Sequence, residues 1–379
     1  MSRISFLCVC IFVLVQCCIA SGCTHLQMNG LLPAGASVAE IGSCDANSPF
    51  ELDMKGENIA FADGGLKIGN LRSGRTRLIC SDTPCALAWS PDGKRIAAAF
   101  CRENGTKLRL FDYAGELQAE TEVPGTVSNL AWRSATEVLA MNIVVRQFSF
   151  GANIAEALLR WDGVSDPQRL AFFDNTLKPT TMKQWKDNLM GRLTFRLSPL
   201  GDEVLLVNVI DPPLFPTYLR IILHNLGSGK SREITKVSLG SGGAAFLGAG
   251  ESIVLGDGDN RTLVSDPWKG VTLRTIPTPG REVAVSSGGR YMMLDGNLFG
   301  EGIRIASFQD SCRSNFSAFG GYMAVRCGDR LSLVSGLQED LSVRFQPKET
   351  ARIIELRKQL SEGLITPQDY GRSLERAGQ

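Results

Sequence analysis

Ala88-Trp89-Ser90-Pro91-Asp92-Gly93-Lys94-Arg95-Ile96-Ala97 sets out a frame: an apolar anchor, a tight turn with Gly four residues on, two polar residues, then an apolar run. Such a turn needs a residue that tolerates positive φ, which Gly supplies without steric cost, and the apolar run behind it reads as a buried strand. The frame is one two-stranded hairpin. It recurs with anchors Leu52, Trp89, Trp132, Leu197, Phe246, Val285 and Phe316. Their +4 positions are Gly56, Gly93, Thr136, Gly201, Gly250, Gly289 and Gly320. Their +7 positions, Ile59, Ile96, Leu139, Val204, Ile253, Met292 and Met323, are all apolar. Anchor spacings of 37, 43, 65, 49, 39 and 31 average 44 residues, the size of a four-stranded propeller blade. Further strand pairs fill the gaps: 66–71 with 75–80 around Ser73-Gly74, 107–113 before Gly115, and 218–226 before Gly227-Ser228-Gly229. The fold expected is all-β, a seven-bladed β-propeller. A sandwich spaces its strands as densely but has no reason to repeat one frame seven times. The 65-residue gap leaves room for a degenerate eighth copy.

Composition agrees and removes several function classes. In 379 residues, 44% are hydrophobic and 21% charged, which excludes a disordered chain. The 40 Gly and 16 Pro follow no triplet period, so they mark turns and not collagen. Forty basic against 39 acidic side chains give no global field to draw in a polyanion, so no nucleic acid is expected as a partner. Ser90-Pro91-Asp92-Gly93-Lys94-Arg95-Ile96 resembles the repeats of TolB-like propellers, and Leu197-Ser198-Pro199-Leu200-Gly201 is a weaker relative. That resemblance covers about residues 36–346 and implies the fold only, because proteins of many functions share the repeat.

The first residues are an address. Arg3 precedes an apolar run, 4–20, broken only by Ser5 and Gln16 and ending in small residues, the pattern of a secretory signal peptide. The run is shorter than the roughly 20 residues a membrane span needs. Ala20-Ser21-Gly22-Cys23 resembles the lipobox of bacterial lipoproteins, although Ala20 stands where that family usually has Leu. The resemblance implies cleavage before Cys23 and a lipid on its thiol. Thr24, in place of the Asp that retains such proteins at the inner membrane, implies the periplasmic face of the outer membrane. The organisation expected is a signal peptide (1–22), an anchor linker (23–35), a propeller (36–346) and a helical hairpin (347–379).

Of 11 Cys, four leave with the signal; beyond Cys23, the six that remain are Cys44, Cys80, Cys85, Cys101, Cys312 and Cys327. An even number in an exported chain suggests disulfides, with many pairings open. Local spacing favours Cys80 with Cys85 and Cys312 with Cys327, leaving Cys44 and Cys101. No C-x-x-C or nearby His supports a zinc site.

After Pro347 the composition turns to Glu, Arg, Leu and Gln. Ile353, Leu356 and Leu360 make one apolar stripe at helical spacing, Gly363 reads as a cap, and Thr366-Pro367-Gln368-Asp369 reads as a variant capping box opening a second helix. Leu364, Ile365, Tyr370 and Leu374 supply its apolar contacts. So small a unit cannot close a core alone and must dock. The stretch 356–370 resembles the SHOCT (short C-terminal) domain, though Pro367 and Gln368 replace common acids. That family is associated with oligomerisation, so these seven apolar residues are expected to pair with another copy, docking on the chain's own propeller being the alternative.

Motifs for nucleotide, serine-hydrolase, zincin or P-loop chemistry are absent from the sequence. His224 lies inside an apolar strand, and Asp257-Gly258-Asp259-Asn260 opens like a calcium loop but lacks its later ligands. No catalytic residue, metal or cofactor is therefore assigned. The candidate recognition segments are 175–189, with Trp185, and the loop Asp211-Pro212-Pro213-Leu214-Phe215-Pro216 running into Tyr218, since long insertions tend to be functional and proline-braced apolar residues suit partner anchors. The function expected is a protein-binding scaffold of the bacterial envelope, partnered by an envelope protein, itself, or both. The rival is a propeller hydrolase or lactonase with carboxylates around a central metal.

Overall fold

The computed structural model describes residues 28–375, apart from 46–47, 149–150, 178–194, 213, 239–242, 249, 251, 258–259, 309–311, 319–320 and 339–346. Seven antiparallel sheets follow one another along the chain: blade 1 (50–80), blade 2 (86–123), blade 3 (126–177), blade 4 (195–238), blade 5 (244–276), blade 6 (283–307) and blade 7 (313–337). The chain is a seven-bladed β-propeller. In each blade the strands lie in sequence order from the innermost outward, except that blade 7 has only three of its own. Its outer strand is Ser37–Ser43, paired antiparallel to Arg330–Leu337 from Ser37 opposite Ser335 to Ser43 opposite Arg330. The N-terminal strand thus clasps the last blade to the first and closes the ring. A two-residue strand, Asn29–Gly30, adds a fifth edge to blade 6 by pairing with Ile303–Ser307, inside the segment expected as linker.

All seven anchors lie on innermost strands, and in six blades the anchor stands opposite the +7 residue: Leu52 faces Ile59, Trp89 faces Ile96, and so on to Phe316 facing Met323. In those blades the +4 glycines that are described, Gly56, Gly93, Gly201, Gly250 and Gly289, have φ between 68° and 92°, the left-handed turn the sequence required. Blade 3 has Thr136 there, and its shorter turn moves the partner of Trp132 to Val138. The Trp89 indole N–H donates to the Glu51 carbonyl at 3.1 Å, and that of Trp132 to the Ala88 carbonyl at 3.0 Å. Two anchors therefore tie each inner strand to the one before it as well as filling the gap between sheets.

The 65-residue gap holds no eighth blade among the described residues. It is taken up by long strands: Glu137–Phe148, Gly151–Trp161 and Gln168–Leu177. The inner strand of blade 3 begins at Thr126, opposite Ile143, so the rest of that hairpin projects past the ring as an arm on the face where inner strands begin.

Two disulfides are formed, Cys85–Cys101 and Cys312–Cys327, while Cys44 and Cys80 are free thiols. The expected Cys80–Cys85 pair is not made: Cys80 ends the outermost strand of blade 1, whereas Cys85 adjoins the innermost strand of blade 2. Cys85 and Cys312 both stand four residues before an anchor, and each is bridged to the second strand of its own blade. The two disulfides are the same staple used twice.

The tail forms helices α1 (Pro347–Glu362) and α2 (Pro367–Glu375). Gly363 has φ 77° and the Leu364 N–H reaches back to the Gln359 carbonyl at 2.9 Å, a left-handed cap. Thr366 and Asp369 cap reciprocally, the Thr366 N–H donating to Asp369 Oδ2 and the Asp369 N–H to Thr366 Oγ1, both at 3.2 Å. For the apolar stripe, pairing with another copy is the expectation and docking on the chain's own propeller the alternative. In this chain Ile353 and Tyr370 are buried, and Leu356, Leu360, Ile365 and Tyr370 pack into the core cluster shared by blades 3, 4 and 5. Burying this surface on a neighbour within reach costs no association entropy, which favours the intramolecular contact. Leu364 stays 70% exposed, and the side chain of Leu374 is outside the described residues.

Candidate recognition face and axial channel

One face of the ring carries the connections between blades and the turns between second and third strands. On it, Pro212, Phe215, Pro216, Thr217 and Tyr218 of blade 4 meet Lys236, Val237 and Ser238 and, from blade 5, Asp257 around a cleft of about 670 Å³. The Thr217 hydroxyl donates to the buried Asp211 carboxylate, closing the loop on itself. Lys236 Nζ lies 5.3 Å from the centre of the Tyr218 ring. Prolines and this internal bond hold Leu214 at 90% and Phe215 at 68% exposure, a conspicuous cost for two large apolar side chains in water. Three of the expected recognition residues, Leu214, Phe215 and Tyr218, are thus brought together; Trp185 and Pro213 lie outside the described residues. Cys23 lies outside them as well.

The opposite face of the same two blades holds the hairpin. Arg357 is fully buried there, its Nη1 lying 3.3 Å from Asp202 Oδ1 and 3.8 Å from Glu203 Oε2, with Nε donating to the Tyr370 hydroxyl at 3.2 Å. Asp202 is fixed in turn by the Ser198 hydroxyl at 2.7 Å, within the Gly201 turn of blade 4. Tyr370 stacks at 5.8 Å on Trp268 of blade 5, and Ser361 and Glu362 bond to Ser228 and Lys230. Burial pushes the Glu203 carboxyl up to about 8 in spite of Arg357, and Oε2 has no hydrogen-bond partner. The neighbouring carboxylates and Tyr370 hold the Arg357 guanidinium charged, its value raised. Asp202 is thus the closer of the two carboxylates to Arg357, with Glu203 beside it.

The residues just before the anchors on the innermost strands are Glu51, Ala88, Ala131, Arg196, Ala245, Ala284 and Asn315, and Ala88 and Ala245 among them are buried in the core clusters between blades. Arg196 is exposed although it springs from an innermost strand. Its charge is felt by Glu282 of blade 6 and Glu51 of blade 1, across the ring from blade 4. At the mouth, Arg313 Nε pairs with Glu282 Oε1 at 3.4 Å. The hydrolase expectation needs carboxylates converging from several blades, and of the seven residues before the anchors one, Glu51, is an acid. Among the described residues no three His, Cys, Asp or Glu side chains are grouped to hold a metal. His224 is buried, bonded through Nδ1 to the Ser231 hydroxyl at 2.9 Å, and burial lowers its pKa, as befits a strand residue.

Two features of the frame escaped sequence reasoning although it holds them. The position after the anchor is Asp53, Ser90, Ser198, Ser286 or Ser317 in five blades, all buried. In blades 2, 4 and 6 the Ser hydroxyl accepts a backbone N–H across the turn, as Ser90 does from Arg95 at 2.9 Å. The position before the anchor, reserved for small residues in four blades, singles out Arg196 and Glu51 by contrast.

Burial pushes Glu51 up to about 8, Glu156 up to about 7 and Glu203 up to about 8. The native state therefore holds protons that the unfolded chain has already released by pH 5, and stability must fall as pH rises from about 5 to 8. Calorimetric melting points should decline over that interval, and Glu51→Gln should flatten the decline; a rising melting point would contradict the assignment.

Six four-stranded sheets and one five-stranded sheet make a seven-bladed β-propeller with Leu214 and Phe215 exposed on one loop face. No protein-family profile and no curated protein matches the chain. Among solved structures it is similar to Kuenenia stuttgartiensis hydrazine synthase, at 11% identity over 77% of this chain and 97% of that one, with a TM-score of 0.52. It is also similar to the β-propeller domain of Cps50 (Swd1) from Myceliophteria thermophila, at 14% identity over 80% and 98% of the two chains, with a TM-score of 0.49. Such identities speak of the fold alone.

Proposed function

We propose that this propeller is a protein-binding scaffold of the bacterial cell envelope, held by lipid on Cys23 at the periplasmic face of the outer membrane and making or breaking no bond. The observation that carries the reading is the rigid projection of Leu214 and Phe215 beside the cleft between blades 4 and 5. Large apolar groups presented without entropy to lose are what a partner's pocket takes up as anchors. The lipobox resemblance supports the anchor, and geometry limits it: five residues separate Cys23 from Asn29 on the edge of blade 6. Six steps of chain span at most about 20 Å, so the rim of blade 6 would sit that close to the bilayer. Self-association through the hairpin, in this reading, uses the exposed Leu364 or follows release of the stripe from blades 4 and 5.

Crosslinking in intact envelopes followed by pull-down tests it. The parent chain should capture a discrete protein partner from the membrane fraction, and Leu214→Ser with Phe215→Ser should reduce capture at least tenfold, the usual effect of removing an interfacial hot spot of about 2 kcal/mol. Cys23→Ser should move the protein to the soluble fraction without changing its fold. Equal capture by the double variant would refute the recognition face, and membrane retention of Cys23→Ser would refute the anchor.

A further inference from the structure

We propose that the outer rim of blades 5 and 6 is a membrane-contacting surface, whose apolar side chains enter the interface of an anionic phospholipid bilayer. The proposal rests on the lipid-anchor reading for where the bilayer lies, and on the rim's own residues for what touches it. Val271 and Leu273 on the outermost strand of blade 5, Ile303 on Ile303–Ser307 of blade 6, and Leu31 beside the strand added to that edge are between 50% and 87% exposed. The two blades are joined along this rim. Arg274 Nη2 donates to the Gly302 carbonyl at 2.8 Å and Nη1 to that of Glu301 at 3.4 Å, so Leu273 and Ile303 each adjoin the same contact. Asn29–Gly30 runs antiparallel to Ile303–Ser307, and Leu31 continues it toward the Ile303 end.

An outermost strand facing water is normally blunted by charge. Arg75–Cys80 of blade 1 carries two Arg, Leu117–Val123 of blade 2 two Glu, and Ser231–Ser238 of blade 4 Arg232, Glu233 and Lys236. Val271–Ile276 has Arg274 alone, turned onto blade 6, and its first five residues are all exposed. The tether ends on this rim: the six steps from Cys23 to Asn29, on the edge of blade 6, span at most about 20 Å. An acyl anchor so close makes contact between rim and bilayer intramolecular, and a few apolar side chains then suffice. The flanking charge selects the headgroup. Arg274 and Arg304 are exposed and form no ion pair among the described residues, whereas the acids beside them, Asp266 and Glu301, are paired with Lys269 and Arg290. Two uncompensated cations beside an apolar strip favour an anionic over a zwitterionic surface.

Vesicle flotation tests this with the chain 24–379, which holds every described element and carries no lipid. It should bind saturably to vesicles of phosphatidylethanolamine and phosphatidylglycerol, and at least about tenfold more weakly to phosphatidylcholine alone. Leu31→Ser, Leu273→Ser and Ile303→Ser combined, all at exposed positions, should keep the parent melting point and weaken binding at least about tenfold. Leu214→Ser with Phe215→Ser should bind vesicles as the parent does. No binding to the anionic vesicles, equal binding to phosphatidylcholine, a triple variant that binds like the parent, or binding lost through Leu214 and Phe215 instead would each overturn the proposal. None of these arms involves Cys23, so a full chain found to carry no lipid refutes the anchor by itself, and the flotation result decides the rim separately.

Discussion

A chain that starts at Ser48 is expected to lose its cooperative unfolding transition. The strand Ser37–Ser43 contributes six register pairs to the outer edge of blade 7, and Cys44 just behind it is part of the core cluster between blades 7 and 1. Without it, Arg330–Leu337 becomes an unpaired edge, and Leu331 and Leu333 lose cover on the seam that closes the ring. At about 1 kcal/mol net for each hydrogen bond, with the lost burial added, the cost is on the order of 5 kcal/mol or more, comparable with the whole stability of a domain. Adding a peptide of residues 28–48 in trans should restore the transition. A truncated chain that melts cooperatively at the parent temperature would show that the clasp is dispensable.

Arg357→Ala carries the second large effect. Removing one member of a buried pair leaves the other charge uncompensated, at about 3 to 5 kcal/mol. Here Asp202 would be stranded beneath α1, and the hairpin would be left with Ile353, Tyr370, the stripe and the bonds of Ser361 and Glu362 to hold it down. The relief available to the molecule is to undock the hairpin and hydrate Asp202. Limited proteolysis and hydrogen exchange should therefore find α1 and α2 unprotected while blades 1 to 3, 6 and 7 keep their protection. Arg357→Met combined with Asp202→Asn should recover much of the docking, since a well-packed neutral replacement of a buried pair is often harmless. Full protection of the hairpin in Arg357→Ala would mean that the apolar stripe alone suffices.

The architecture was legible because a propeller repeats its physics. Anchor, turn and second strand must each recur wherever a sheet stacks on its neighbour, so Trp89 and Val285 announce the same place in different letters. Cys312 pairs with Cys327 as their spacing suggests, but Cys80 does not pair with Cys85, because proximity in the hairpin and not proximity along the chain decides. Cys85 and Cys312 share an offset of four from their anchors, and counting across the turn from there arrives at Cys327 and at the neighbour of Phe100, Cys101. The destination of the hairpin was hidden for another reason. Its stripe records that α1 must be covered, and only the turns of blades 4 and 5, assembled from Asp202, Ser228, Gly250 and Trp268, record by what. Arg357 reads in sequence as one more solvated charge in a helix full of them. Leu214 and Phe215 were recognisable from composition, since two prolines beside two large apolar residues have no use in a buried turn.

The Ser37 and Ser335 hydroxyls that meet at 2.9 Å belong to residues 298 positions apart. Blades 1 to 5 can each begin from hairpins whose strands are adjacent in sequence, but the seventh cannot be finished until both ends of the chain are present. Loop closure over that separation is entropically slow. A polypeptide delivered through a membrane amino end first would therefore carry its earliest strand unpaired until nearly everything else had followed, and the last step of maturation would be the meeting of the first and final sheets.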